Sequence, residues 1–77
     1  MKYTLSGYIA YLATDGTYVV ASRNDMTIGY LQPTSAGWAG VDVVTTANGR
    51  HIATAVCDSV TGAFDELLLK GGWRVYS

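Results

Sequence analysis

The stretch ANGRHIATAVCDSVTGAFDELLLK, residues 47–70, changes its hydrophobic period part-way along, and that change decides the fold. Asn48-Gly49 is a hairpin signal, because a tight two-residue turn needs positive φ and these residues accept it. From Arg50 to Val56, Ile52 and Val56 alternate with His51, Ala53 and Ala55 at the period of two that sends successive side chains to opposite faces of a strand. From Val60 onward the period lengthens. Val60, Ala63, Phe64, Leu67 and Leu68 recur every three or four residues, which lines one face of a helix.

The ends of this helix are marked. Asp58, or Ser59 after it, is placed to accept hydrogen bonds from the free amides of the first turn, a contribution of about 1 kcal/mol. Lys70 complements the negative end of the helix dipole, and Gly71 supplies a left-handed stop. Gly62 lies one turn inside and costs about 1 kcal/mol relative to Ala, which a close helix-to-sheet contact would explain.

Upstream, the chain reads as strands. Tyr3 to Ala13 alternates Leu5, Ile9 and Tyr11 with Thr4, Ser6, Tyr8 and Ala10 and reads as one strand, with Tyr8 on the face opposite Tyr3 and Tyr11. Asp15-Gly16 turns the chain into a second strand, Thr17 to Ser22, paired antiparallel with the first. Asn24-Asp25 leads into a third, Thr27 to Gln32, where Gly29 marks a bulge or a close backbone approach and Pro33 ends the strand. After a Pro33 to Gly37 loop, Trp38 to Thr45 is the fourth strand, and Arg50 to Val56 the fifth. Gly72-Trp73-Arg74-Val75-Tyr76 offers a short last strand. The expectation is an α+β protein: an antiparallel sheet of about five strands with one helix from the C-terminal half packed on one face. At 77 residues, the chain has room for a single domain, residues 1–77.

Composition narrows function. Hydrophobic residues are 49% of the chain and charged residues only 14%, against roughly 25% in an average soluble domain, so the surface is unusually neutral. A net charge of −1, with Lys2, Arg23, Arg50, Lys70 and Arg74 dispersed, gives no field for a row of phosphates. Cys57 is the single cysteine, so no intramolecular disulfide forms and a reducing compartment fits best. The first residues lack a signal peptide's apolar run, and no segment approaches the roughly 18 apolar residues of a membrane span. The expected location is cytoplasmic.

Catalytic and metal chemistry finds little footing. Cys57 before a helix N-terminus, with His51 on the preceding strand, can be drawn as a nucleophile and base, but a lone Cys in that place is ordinarily a small buried hydrophobe. His51 is the single histidine and cannot assemble a tetrahedral zinc site with Cys57 alone. On its strand it reads as a partly solvated surface imidazole. Asp65 and Glu66 are adjacent on the helix and do not face each other across a substrate. Asp42, among Val41, Val43 and Val44, either points to water or pairs with Arg50 across the hairpin, the pair being the better account. The nine glycines form no phosphate loop. No enzyme activity, cofactor or metal is expected.

Aromatic residues are the remaining signal. Six Tyr and two Trp exceed what so small a core hides, since each ring buries about 150–250 Å² and carries a polar tip. Rigid amphipathic rings at low charge density suit a protein-binding surface, although cross-strand ring pairing without a partner explains the same composition. The residues expected to contact a partner are Tyr8, Tyr18, Tyr30, Trp38, Trp73, Arg23, Arg50 and Arg74. Edge strands in so short a sheet also invite a homodimer through a sheet edge.

Thr27-Ile28-Gly29-Tyr30-Leu31, Gly37-Trp38-Ala39-Gly40-Val41, Asn48-Gly49-Arg50-His51-Ile52, Asp58-Ser59 and the Ala63 to Leu68 helix together resemble the small strand, strand, strand, helix accessory proteins of phages and prophages. The resemblance covers about the last two-thirds of the chain and lies in pattern and size. It implies a non-enzymatic inhibitor of the anti-CRISPR or anti-defence type, which occludes a surface of a host complex. It also implies an alternative, an AP2-like or integrase-arm DNA-binding domain that lays three strands in the major groove. This chain departs from that pattern, offering mainly Arg23 and Arg50 where several cations are needed. A structural or homodimeric phage protein without a host target is the remaining alternative.

Overall fold

The computed structural model describes residues 1–73. Six antiparallel strands lie side by side in chain order: β1 (Lys2–Leu5), β2 (Tyr8–Leu12), β3 (Tyr18–Ala21), β4 (Thr27–Thr34), β5 (Gly37–Ala47) and β6 (Arg50–Ala53). One helix, α1 (Val60–Lys70), crosses β5 and β4 on one face. The protein is therefore α+β, with one strand more than the sequence suggests.

The extra strand comes from Ser6-Gly7. Instead of a single strand from Tyr3 to Ala13, the chain turns at Ser6 (φ 53°) and Gly7 (φ 84°), so Leu5 pairs with Tyr8. Both turn residues lie in the left-handed region that a tight hairpin requires, and Gly7 enters it without a Cβ penalty. The turn also changes parity. Leu5 and Tyr8 share a face across the hairpin, so Tyr8 joins Tyr3, Leu5 and Ala10 on the helix side, and Ile9 and Tyr11 go to the reverse side.

Pro33 does not end β4, which runs to Thr34 with Pro33 opposite Trp38. Trp38 exchanges both backbone hydrogen bonds with Cys57, so its groups point toward the β6 side of β5. Pro33, its partner across a non-hydrogen-bonded pair, then points its missing N–H toward β3, which begins level with Leu31 and leaves that side open.

A bulge shapes β4. Val20 opposes Gly29 and Ala21 opposes Thr27, leaving Ile28 as an extra residue that turns into the core. The core joins Val20, Ile28 and Leu31 to Ala63, Phe64, Leu67 and Leu68 of α1, all at most 1% exposed. Each large apolar side chain so buried contributes about 1.5–3 kcal/mol. The glycines that admit the helix lie in the strands. A Cβ on Gly40 would stand 3.1 Å from the Leu67 Cβ, and one on Gly29 would meet the Val41 carbonyl. Gly62 instead packs beside the cap hydroxyl of Ser59 and the Cβ of Cys57.

Ser59 is the N-cap, its hydroxyl accepting from the Gly62 amide at 3.1 Å. The C-terminus differs from the expectation. Gly71 is right-handed, and Gly72 (φ 77°) makes the left-handed turn. The amide of Gly72 donates to the Leu69 carbonyl and that of Trp73 to the Leu68 carbonyl, the Schellman closure. It carries Trp73 back over the sheet. Residues 74–76 of the expected last strand lie outside the described residues.

The Cα extents are 26 × 26 × 25 Å. Five inter-strand steps of about 4.8 Å span about 24 Å, and a flat sheet with one helix would be much thinner along its third axis. Equal extents mean that the sheet curls around α1.

Candidate interaction surface

Curling gives the sheet two unlike faces. On the helix side, the Tyr18 ring packs at a tilt against Tyr3 at 5.8 Å between ring centroids and edge-to-face against Trp38 at 5.5 Å, and Tyr8 lies 6.0 Å from Trp73. The Tyr18 hydroxyl donates to the Met1 sulfur at 3.3 Å. Burial raises the Tyr18 phenol above its usual 10.0, and the neighbouring Tyr3 adds to the effect.

On the reverse side one row crosses all six strands: Lys2, Tyr11, Val19, Tyr30, Val41 and Ala53, each opposite the next. Among the described residues no element lies over this row, because α1 packs on the other face. Tyr11 is 43% exposed, and Val19, Tyr30 and Val41 are half-buried against one another. Ile9, opposite Ala21, and Ala39, opposite Gln32, extend the patch on both sides of the row. Lys2 stands at one end, and His51, exposed, shares the face of Ala53 at the other.

The row spans about 24 Å across the six strands, and Thr4 and Gln32 place polar side chains on the same face. Contiguous apolar residues on an uncovered face commonly mark interaction sites.

The expected partner residues are therefore distributed in three ways. Tyr18 is 5% exposed and sits in the core, with Tyr8, Trp38 and Trp73 packed around its rim. Tyr30 lies in the reverse-face row. Arg50 is exposed on edge strand β6, Arg23 is exposed in the β3–β4 turn, and Arg74 lies outside the described residues. Tyr11, Val19 and Val41 complete the patch and escape a sequence reading that runs β1 and β2 together; the Ser6-Gly7 turn is the signal that assigns Tyr11 its face.

Asp42 has no ion pair with Arg50. It is fully buried, its Oδ1 accepting from the amides of Val44 (2.8 Å) and Thr45 (2.7 Å) and its Oδ2 from the Trp73 indole Nε1 (2.7 Å). The register of β5 against β6 shifts between Val41 and Thr46, which frees those amides from the ladder, and the carboxylate takes them. Arg50 is far along the hairpin, opposite Ala47.

His51 and Cys57 do not meet. His51 is opposite Thr46, whereas Cys57 is opposite Trp38, and six residues of extended chain at about 3.3 Å each separate them by on the order of 20 Å. The Cys57 thiol is half-buried and donates to the Ala55 carbonyl at 3.6 Å. Among the described residues no three His, Cys, Asp or Glu side chains gather as a metal set, and no helix is long and apolar enough to cross a membrane. Compared with protein-family models, curated proteins and solved structures, the chain matches none.

Proposed function

We propose that this chain is a non-enzymatic protein-binding module whose partner seats on the reverse face of the sheet, with Tyr11 and Tyr30 as anchors. The observation that carries the reading is the unbroken row Tyr11, Val19, Tyr30 and Val41 on four adjacent strands, with no layer above it among the described residues. Rings in such a row lose little conformational entropy on binding and bring both apolar area and a hydroxyl, the character of interface hot spots. The partner offers a complementary apolar patch. Its acidic rim would meet Lys2 at one end.

The biological form of this reading is occlusion: covering a surface that a host or viral complex needs, in the cytoplasm, as in the phage anti-defence proteins the chain resembles. The DNA-binding alternative has less support. Lys2 and Arg50 stand on the two edge strands with apolar residues between them, and Lys70 is engaged by Glu66 at 3.7 Å.

The test compares wild type with a Tyr11→Ser/Tyr30→Ser double variant, both folded by circular dichroism, as baits in bacterial lysate. A defined complex retained by wild type and Arg50→Gln but lost from the double variant supports the reading. Equal retention by the double variant overturns it, and salt-sensitive retention on DNA would favour the alternative. Concentration-dependent mass in light scattering, abolished by the same double variant, would make a second copy of the chain the partner.

A further inference from the structure

At one end of the sheet, two turns form a shallow cleft of about 250 Å³ lined by Ser6, Gly7, Tyr8, Ser22, Arg23 and Asn24. We propose that it binds a carboxylate group, with the Arg23 guanidinium as its charged partner. This site is distinct from the reverse-face patch.

Three observations converge. First, Arg23 is laid against the opposite turn: a Cβ on Gly7 would be 3.3 Å from the Arg23 Nε and 3.6 Å from one terminal nitrogen. Glycine at that position lets the guanidinium lie close to the backbone. Second, among the described residues Arg23 has no ion pair. Third, the Ser22 hydroxyl is buried without a hydrogen-bond partner. Ser22 also lines the cleft, and an unsatisfied buried hydroxyl carries a desolvation penalty that a ligand oxygen would relieve.

The loop that presents these groups is closed on itself. The Ser22 amide donates to the Met26 carbonyl at 3.0 Å, and the Asp25 amide donates to the Ser22 carbonyl at 3.0 Å. Arg23 and Asn24 are thus held at its tip.

The donor set selects the ligand. One guanidinium matches the two oxygens of a carboxylate through parallel N–H bonds. Ser6, Ser22 and Asn24 add neutral polar side chains to the lining. A phosphate dianion asks for more positive charge than Arg23 supplies, and the Asp25 carboxylate in the same loop disfavours it further. The volume lies below the roughly 300–1,000 Å³ of pockets for larger ligands, so the occupant is a small acid or the terminal carboxylate of a peptide.

The test is an amide chemical-shift titration of the full chain at constant ionic strength with acetate, N-acetylglycine and inorganic phosphate. The expected result is saturable shifts confined to Ser6, Gly7, Ser22, Arg23 and Asn24 with acetate and N-acetylglycine. Arg23→Gln weakens this binding at least about tenfold, and Arg50→Gln leaves it unchanged. Tighter binding of N-acetylglycine than of acetate identifies a peptide terminus as the source, and equal binding a free small acid. Shifts that never saturate, that survive Arg23→Gln, or that are stronger with phosphate overturn the assignment.

Discussion

The indole of Trp73 donates to the Asp42 carboxylate at 2.7 Å, tying the chain beyond the helix to strand β5 across 31 positions. Asp42 simultaneously holds the two amides released by the irregularity in β5, so one carboxylate satisfies three N–H groups. Asp42→Asn turns its amide donor toward either the indole or those amides and should cost about 2–3 kcal/mol, since an unpaired buried donor carries its full desolvation penalty. In a Trp73→Phe background the same change should cost about 1 kcal/mol less. Urea unfolding of the four variants measures this coupling, and costs that simply add would sink the claim.

Alkaline stability should report on Tyr18. Its phenol is raised, so the folded state keeps its proton where the unfolded chain loses it. The stabilising effect is whole below the usual value of 10.0 and declines as pH rises from there through the folded value. Tyr18→Phe should flatten the loss of stability above that pH while leaving neutral stability little changed, because its hydrogen bond goes to a weak sulfur acceptor. Thermal unfolding across the alkaline range, with tyrosinate absorbance, is the measurement.

Gly40→Ala should destabilise by about 1–3 kcal/mol through overpacking. The added methyl would press on the Leu67 Cβ and Thr54 Cγ2 at 3.1 Å and on Leu31 Cδ2 at 3.3 Å. Gly49→Ala in the hairpin meets no atoms and is penalised only by its φ of 78°, so the milder Gly49 variant serves as the control in chemical denaturation.

Tyr11→Ser and Tyr30→Ser should leave the fold standing. Tyr11 is 43% exposed and neither ring belongs to the core, so each change should cost about 1 kcal/mol or less, against about 3–5 kcal/mol for Phe64→Ala. Equal destabilisation by the surface and core variants in denaturation curves would mean that the reverse face is covered in solution.

Removing the helix cap by Ser59→Ala should cost about 1 kcal/mol, with the loss concentrated in faster amide exchange at Gly62 and its neighbours. Unchanged exchange there would show that the 3.1 Å contact contributes nothing.

Elements with a long periodic signal are legible in the sequence itself. The stripe from Val60 to Leu68 repeats often enough to specify α1, and Asn48-Gly49 and Asp15-Gly16 announce their turns through residues that accept positive φ. The Ser6-Gly7 turn is hidden in the sequence because Tyr, Ile and Leu on either side continue an apparent alternation through a two-residue reversal. Reading through that turn places Tyr8 and Tyr11 on the wrong faces. The aromatic excess pointed toward exposed rings, but their identity rested on this parity. The partner of Asp42 was illegible for another reason: a contact between β5 and the segment after the helix leaves no trace in local spacing.

The plain left-to-right order of the six strands has a bearing on biogenesis. Each newly made strand finds its neighbour already synthesised, so the sheet can form hairpin by hairpin at low entropic cost. The lid for its greasy concavity is translated only afterwards, leaving the nascent sheet open to misassociation until α1 clears the ribosome.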